Sequence, residues 1–311
     1  MSGPRASGAI REKRNAVALP YELLAIDLDG TLLDRRGQVS AENRAALHAA
    51  HAAGLKIVLC TGRSFTETRP ILDQIGLDLD ATVTVGGALI TDVATGRTIE
   101  RREIDAALAA ESLAWFRARR KTVLWLTDRD AAGYDGHCLW HEQRHPAIGR
   151  WLEKSGCSMR LSDTIPEQMP AALRITIVDE PAALEQIALP FREAFGERFS
   201  FNVINVPLYE FSVLETFAGD VTKWTGVQRL CRRWNIDPAR TATIGDDVND
   251  VSMIQHAGLG AAVGNAIEAV KKIAKLTVRS HDEHGVAEFV RHLLCAPRST
   301  STRRVAESPT E

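Results

Sequence analysis

Leu23-Leu24-Ala25-Ile26-Asp27-Leu28-Asp29-Gly30-Thr31-Leu32-Leu33 begins with four apolar residues, passes two aspartates separated by one residue, and turns at Asp29-Gly30. A short apolar run without alternation is what a parallel strand covered on both faces looks like, and Asp-Gly is turn chemistry that ends it. The pattern recurs. Leu55 to Cys60 is a second apolar run, followed at once by Thr61-Gly62-Arg63, and Ala81 to Val85 a third, closed by Gly86-Gly87. Helices are expected between them. Ser40 caps one over about 41–53, with Ala45, Ala46, Leu47 and Ala50 on its apolar side and Gly54 as its stop. Ser64 with Glu67 forms a capping box for the next, which Gly76 ends. Strands alternating with helices predict right-handed βαβ units and an α/β, Rossmann-like, doubly wound parallel sheet.

The rhythm changes after Gly87. Residues 88–104 read as a hairpin with Ala94-Thr95-Gly96-Arg97 at its tip, and a helix is expected near 105–119. Strands follow at Thr122–Leu126, Leu173–Val178, Phe199–Asn205 and Tyr209–Glu215, with a helix near 181–195 and an irregular, aromatic, His-rich segment at 133–151. The first rhythm then resumes, with a helix from Thr222, strands at Thr241–Ile244 and Gly260–Val263, and a closing helix at about 285–294. One domain is interrupted by another: a core over 19–86 and 215–296, and an inserted α+β cap domain over 87–214. Residues 1–18 and 297–311 read as disordered tails, because they carry almost nothing apolar in a periodic pattern.

Composition excludes several classes. The 311 residues suit about two domains, and 45% hydrophobic with 25% charged residues is the balance of a globular protein. Lys+Arg 38 against Asp+Glu 40 argues against a nucleic-acid partner. No apolar run approaches the roughly 20 residues that a transmembrane helix needs, and Arg11, Glu12, Lys13 and Arg14 interrupt the region where a secretory signal would begin. Cys60, Cys138, Cys157, Cys231 and Cys295 are scattered, without a CxxC, so a disulfide framework is not expected. The expectation is a cytoplasmic protein, monomer or homodimer left open.

Ligands of open α/β sheets sit at the carboxyl ends of the strands. Asp27 and Asp29 end the first strand, Thr61 the second, and Asp246, Asp247 and Asp250 a late one. Neighbouring strand ends would crowd at least three carboxylates, which raise one another's pKa unless a cation neutralises them. An oxygen-only donor set favours Mg²⁺ over zinc. Singly each signal is ordinary: Asp-Gly leaves many strands, and a lone Lys223 at a helix start usually does nothing. Together, within one topology, they point to a site.

Four ordered segments resemble the motifs of the haloacid dehalogenase superfamily of phosphotransferases: Asp27-Leu28-Asp29-Gly30-Thr31-Leu32-Leu33, Thr61-Gly62-Arg63, Lys223, and Gly245-Asp246-Asp247-Val248-Asn249-Asp250-Val251-Ser252-Met253. A large insert between the second and third resembles the Cof-like hydrolases with a type-IIB cap, as do Gly264-Asn265-Ala266 and Asp282-Glu283-His284-Gly285-Val286-Ala287. Two positions depart from that branch: Gly86-Gly87-Ala88 stands where Asn-Gly-Ala is usual, and Trp224 where a small residue is common. The resemblance implies that Asp27 is the nucleophile and forms an aspartyl-phosphate, and that Asp29 is the general acid and then the base. It implies Mg²⁺ on Asp27, the Asp29 carbonyl and Asp246, with Asp250 and Asp247 behind them. Thr61, the Gly62 N–H and Lys223 would bind the phosphoryl group, with Asn249 also contacting it. Arg63 would reach phosphate or pair with a neighbouring acid.

A cap over a phosphate pocket implies a small phosphorylated metabolite, sugar phosphates first, and exclusion of water. The reading is a Mg²⁺-dependent phosphatase. A phosphomutase of the same chemistry is the alternative, and a non-catalytic ligand-sensing module a third reading. His137, His141 and His145 recur at four-residue spacing beside Cys138, which on a helix would align three imidazoles for a metal. Gly133, Gly136 and Pro146 argue against one continuous helix there, and surface or substrate-facing histidines are the competing reading.

Overall fold

The structure, a computed structural model, describes residues 19–141, 145–206 and 211–295. The two terminal tails and Tyr209, where a strand was expected to begin, lie outside the described residues. The chain opens with β1 (Leu23–Ile26), α1 (Ala41–Ala52), β2 (Lys56–Leu59), α2 (Phe65–Ile75) and β3 (Ala81–Thr84). Ser40 accepts from the Asn43 N–H at the start of α1. Both halves of the Ser64/Glu67 capping box form at α2, which Gly76 ends in the left-handed region.

β3 departs from expectation. It meets β2 through one parallel bridge, Cys60 to Val83, while its ladder is antiparallel, to β4 (Leu89–Asp92), itself paired with β5 (Thr98–Arg101). Val85, Gly86 and Gly87 all have positive φ, so the chain reverses at once and lays β4 beside β3. The hairpin expected at 88–104 is present and extends β3.

The insert continues with α3 (Ala106–Ala118), β6 (Val123–Leu126), the single turn α4 (Arg129–Ala132), β7 (Gly136–Leu139), α5 (Ala147–Lys154), β8 (Met159–Ser162), β9 (Arg174–Asp179), α6 (Pro181–Phe195), β10 (Phe199–Val206) and β11 (Phe211–Ala218). Its sheet runs β10-β11-β9-β6-β7-β8. Alternation assigns the faces. Val123 and Trp125 of β6 pack against Phe116, Leu184 and Phe191 of α3 and α6. Leu124 and Leu126 instead join Val85, Ala88 and Leu89, so this second face of the cap lies on the core. The His-rich segment holds a strand, with His137 in β7 between β6 and β8. Ladder pairing on both sides overrides the four-residue spacing, and Gly133 in the left-handed region ends α4 before it can lengthen.

The chain returns as α7 (Lys223–Trp234), β12 (Thr241–Gly245), α8 (Val251–His256), β13 (Leu259–Ala262), α9 (Glu268–Ile273), β14 (Leu276–Thr277) and α10 (Gly285–Cys295). The core sheet is parallel throughout, ordered β14-β13-β12-β1-β2. Leu24 and Ile26 face a layer built from Leu47, Ile71, Phe289 and Leu293, whereas Leu23 and Ala25 face Trp224, Val227 and Leu230 of α7. Helices thus cover both faces. From β1 the chain order runs outward to β2 on one side, and from β12 to β13 on the other. The crevice between the carboxyl ends of β1 and β12 is the topological switch point, where such sheets bind ligands.

Candidate active site

Asp27 follows β1 and Asp246 follows β12, so the two carboxylates flank that crevice. Lys223 reaches it from the first turn of α7, held there by a capping box between Thr222 and Thr225. Its Nζ donates to Asp27 Oδ1 at 2.6 Å, Asp250 Oδ1 at 2.7 Å and Asn249 Oδ1 at 3.2 Å. The Lys223 and Asp250 side chains are 1% and 0% exposed. Asp250 Oδ2 accepts from the Asp246 and Asp247 N–H groups at 3.0 and 3.3 Å. Both oxygens of Asp250 are therefore committed to orienting its neighbours. Asp247 caps the turn Val248–Asp250, accepting from the Val248 N–H at 2.7 Å.

Asp246 is seated by two contacts. Thr31 Oγ1 donates to its Oδ1 at 3.1 Å, and Gly30, at φ +76°, lies so close that a Cβ there would stand 2.3 Å from Asp246 Oδ2. The Gly30 carbonyl accepts from Asn265 Nδ2 at 2.8 Å, which ties the Gly264-Asn265-Ala266 segment to the first motif. Gly30→Ala displaces Asp246 and strains the turn. Activity is expected to fall at least tenfold with the fold retained, checked by steady-state turnover beside circular dichroism.

Thr61 is buried, and its Oγ1 accepts from the Arg63 N–H at 3.1 Å. Arg63 grips Asp29 with two hydrogen bonds, Nε to Oδ2 at 2.8 Å and Nη2 to Oδ1 at 2.5 Å. The salt-bridge reading of Arg63 is the one the structure displays. Trp224 turns away from the crevice into the core, and the Phe217 ring fills the space beside Gly86, 2.6 Å from where a Cβ would lie.

The electrostatics are those of a cluster in which buried carboxylates outnumber the basic side chains. One carboxylate oxygen from each of Asp27, Asp246 and Asp250 lies within 4.8 Å of the others. Burial, then Asp250, pushes Asp27 up to about 7, against the pull of Lys223. Burial, then Asp27 and Asp250, pushes Asp246 up to about 9. Burial works against the charge on Lys223, but Asp250 and Asp27 outweigh it and hold its pKa well above the ordinary value. Three acids against one ammonium, with oxygen donors only, is a donor set that fits a hard divalent cation.

Raised carboxyl values bind protons in the folded state that the unfolded chain has released, so their contribution falls as pH rises from the ordinary 3.8 through about 7 and 9. EDTA-treated protein should melt higher at pH 6 than at pH 8.5, and Asp246→Asn should flatten that difference, both readable by calorimetry.

The three cap histidines do not form a comparable cluster. His137 is buried, with its Nε2 sharing a hydrogen bond with Tyr134 Oη at 3.0 Å, and His145 Nε2 meets Glu180 at 3.0 Å. Among the described residues, the aspartate group is the one set of three or more ligand-type side chains so placed. Two residues at the crevice had no signal in the sequence reading: Arg174 of β9 and Glu215 of β11, a buried pair at 2.5 Å beside Gly62. Burial raises the Glu215 pKa, with Arg174 opposing.

Comparison with known proteins adds to this geometry. A family model described as haloacid dehalogenase-like hydrolase matches residues 24–290. The chain belongs to this family. Within the haloacid dehalogenase-like hydrolases it falls in the Cof-like branch. Phosphatase YwpJ of Bacillus subtilis (strain 168) is 29% identical over 290 residues, covering 88% of this chain and 100% of YwpJ. The 5-amino-6-(5-phospho-D-ribitylamino)uracil phosphatase YwtE of the same strain is 25% identical over 289 residues, covering 87% of this chain and 97% of YwtE. A solved haloacid dehalogenase-like hydrolase from B. subtilis superposes with a TM-score of 0.74 at 26% identity, over 88% of this chain and 99% of that one. This haloacid dehalogenase-like hydrolase is thus an enzyme with phosphatases as full-length relatives. No helix among its described residues is long and apolar enough to cross a membrane.

Proposed function

We propose that this chain is a Mg²⁺-dependent phosphatase of small phosphate monoesters, sugar phosphates first, working through an aspartyl-phosphate. The observation that carries it is the Lys223 ammonium, buried between Asp27 and Asp250, with Asp246 beside them at the switch point of the sheet. Asp27 attacks phosphorus in line, and the ester oxygen leaves with a proton from Asp29. Asp29 then takes a proton from the water that cleaves the acyl phosphate, the same group serving both directions. Both Asp29 oxygens are held by Arg63, so this role calls for that pair to open when substrate enters. Thr61, the Gly62 N–H, Asn249 and Lys223 hold the phosphoryl oxygens, and Lys223 stabilises the charge that develops on them. Asp27, Asp246 and the Asp29 carbonyl would hold Mg²⁺, which when bound neutralises the repulsion between a phosphate dianion and a carboxylate. Asp250 orients Lys223 and the fourth-motif loop, and Asp247 caps that loop.

The cap supports a small substrate, since its second face packs on Val85, Ala88 and Leu89 and a lid over a phosphate site suits a ligand it can close around. YwtE, named for a phosphorylated ribityl compound, supports a polyol or sugar phosphate. A cytoplasmic setting belongs to the same reading. Purified protein assayed against a panel of phosphorylated metabolites is the test. Phosphate release from one monoester, without a bisphosphate activator and silenced reversibly by EDTA, is expected. Transfer to a second hydroxyl instead of water would favour the mutase, and no turnover anywhere the sensing module.

A further inference from the structure

Arg174 opens β9, and in the ladder it stands opposite Leu126, on the cap face that lies against the core. From there its Nη1 donates to two acceptors, the carbonyl of Gly62 at 2.6 Å and Glu215 Oε1 at 2.5 Å. The Arg174 and Glu215 side chains are 8% and 9% exposed, and the Arg174 Nε has no partner. A buried ion pair with an unsatisfied N–H is a poor device for stability, because desolvation cancels most of the attraction. Its placement suits another task.

The peptide that joins Gly62 to Arg63 is held from both ends. Its carbonyl is taken by Arg174, and its N–H donates to Thr61 Oγ1. One planar unit thus transmits the position of a cap side chain to the hydroxyl expected to bind phosphate. The residue carrying that N–H, Arg63, holds both oxygens of Asp29. The cap arginine is therefore two contacts from the Thr61 hydroxyl and two from Asp29.

We propose that Arg174, fixed by Glu215, is a positioning residue that sets the Thr61-Gly62-Arg63 loop for catalysis only when the cap is seated on the core. The inference rests on the phosphatase reading and adds to it a coupling between cap closure and chemistry. The contacts of Arg174 are to the loop and to Glu215, so on this proposal the effect is the same whatever the phosphate is attached to.

The test uses Arg174→Met, Arg174→Lys and the double variant Arg174→Met/Glu215→Leu, which removes both charges so that no buried carboxylate is left alone. Each is assayed with p-nitrophenyl phosphate and with the best sugar phosphate of the panel, and inorganic phosphate binding is read by thermal shift in Mg²⁺. Expected is a fall in kcat of about tenfold to a hundredfold, by the same factor for both substrates, with KM changed less, since small displacements of a bound group cost rates of that order. Phosphate protection should weaken in parallel, and Arg174→Lys should restore part of the loss. Unchanged kcat in the folded double variant overturns the proposal. So does a rise in KM for the sugar phosphate alone, which would make Arg174 a leaving-group contact. A wild type that turns over no monoester sinks the phosphatase reading instead. Phosphate protection then decides the positioning claim, and equal protection in wild type and variants overturns it.

Discussion

Asp27→Asn should abolish phosphate release, by on the order of 10⁴-fold or more, the scale seen when a covalent nucleophile is deleted. The amide matches the carboxylate in shape, so the strand end and its neighbours stay in place. What goes is the anionic oxygen that, on the proposed mechanism, attacks phosphorus. The substitution also removes one of the crowded charges, and Asp27 already sits at about 7 through burial and its acidic neighbours. The folded variant should therefore be no less stable than wild type at pH 8 in EDTA. Inactivity with a melting temperature no lower than that of the wild type is the expected pair of results; retained turnover in the purified variant would remove Asp27 from the mechanism.

Lys223→Ala should be costly in both respects. The ammonium is the shared partner of Asp27 and Asp250, both within 2.7 Å. Truncation leaves two buried carboxylates facing each other, and breaking such a pair typically costs about 3–5 kcal/mol. Turnover should drop by about 10²–10³-fold as well, the loss expected when a single group stabilising transition-state charge is removed. Lys223→Arg should not rescue, because a side chain 1% exposed has no room beside it for a planar fork. Denaturant titration and steady-state kinetics on the same preparations separate the two losses. Combining Lys223→Ala with Asp250→Asn should recover stability and leave activity lost.

Much of the crevice was legible because each of its parts is announced locally. Asp27 and Asp246 end apolar runs, Lys223 follows a capping threonine, and Ser64 and Glu67 cap the helix beside Thr61. A residue whose role depends on what precedes it by two or three positions can be read from a sequence. Arg174 and Glu215 have no such local mark. They meet because β9 and β11 pair in one register, with Glu215 opposite Thr176, and that register is a property of the whole cap sheet. The histidines are the opposite case. Their four-residue spacing is a local signal for a helix, but His137 lies opposite Trp125 on one side and Arg160 on the other, and two ladders outweigh one spacing. β3 is intermediate: its strand character was evident, but its antiparallel partner depended on the reversal at Val85-Gly86-Gly87.

The order of strands in the core sheet also bears on how the enzyme is made. β1 lies between β2 and β12, so one of its ladder partners is synthesised only after the whole cap. Thr31 and Asp246, hydrogen-bonded in the finished site, stand 215 positions apart. The six-stranded cap sheet, by contrast, is complete once Ala218 has left the ribosome. A nascent chain can therefore finish its cap while Asp27 still stands on an open sheet edge, since domains fold largely as they emerge and long-range pairings close last. On the proposed mechanism, the site is assembled only after both the cap and β12 have emerged, and a chain interrupted before β12 carries Asp27 without Asp246 and Asp250.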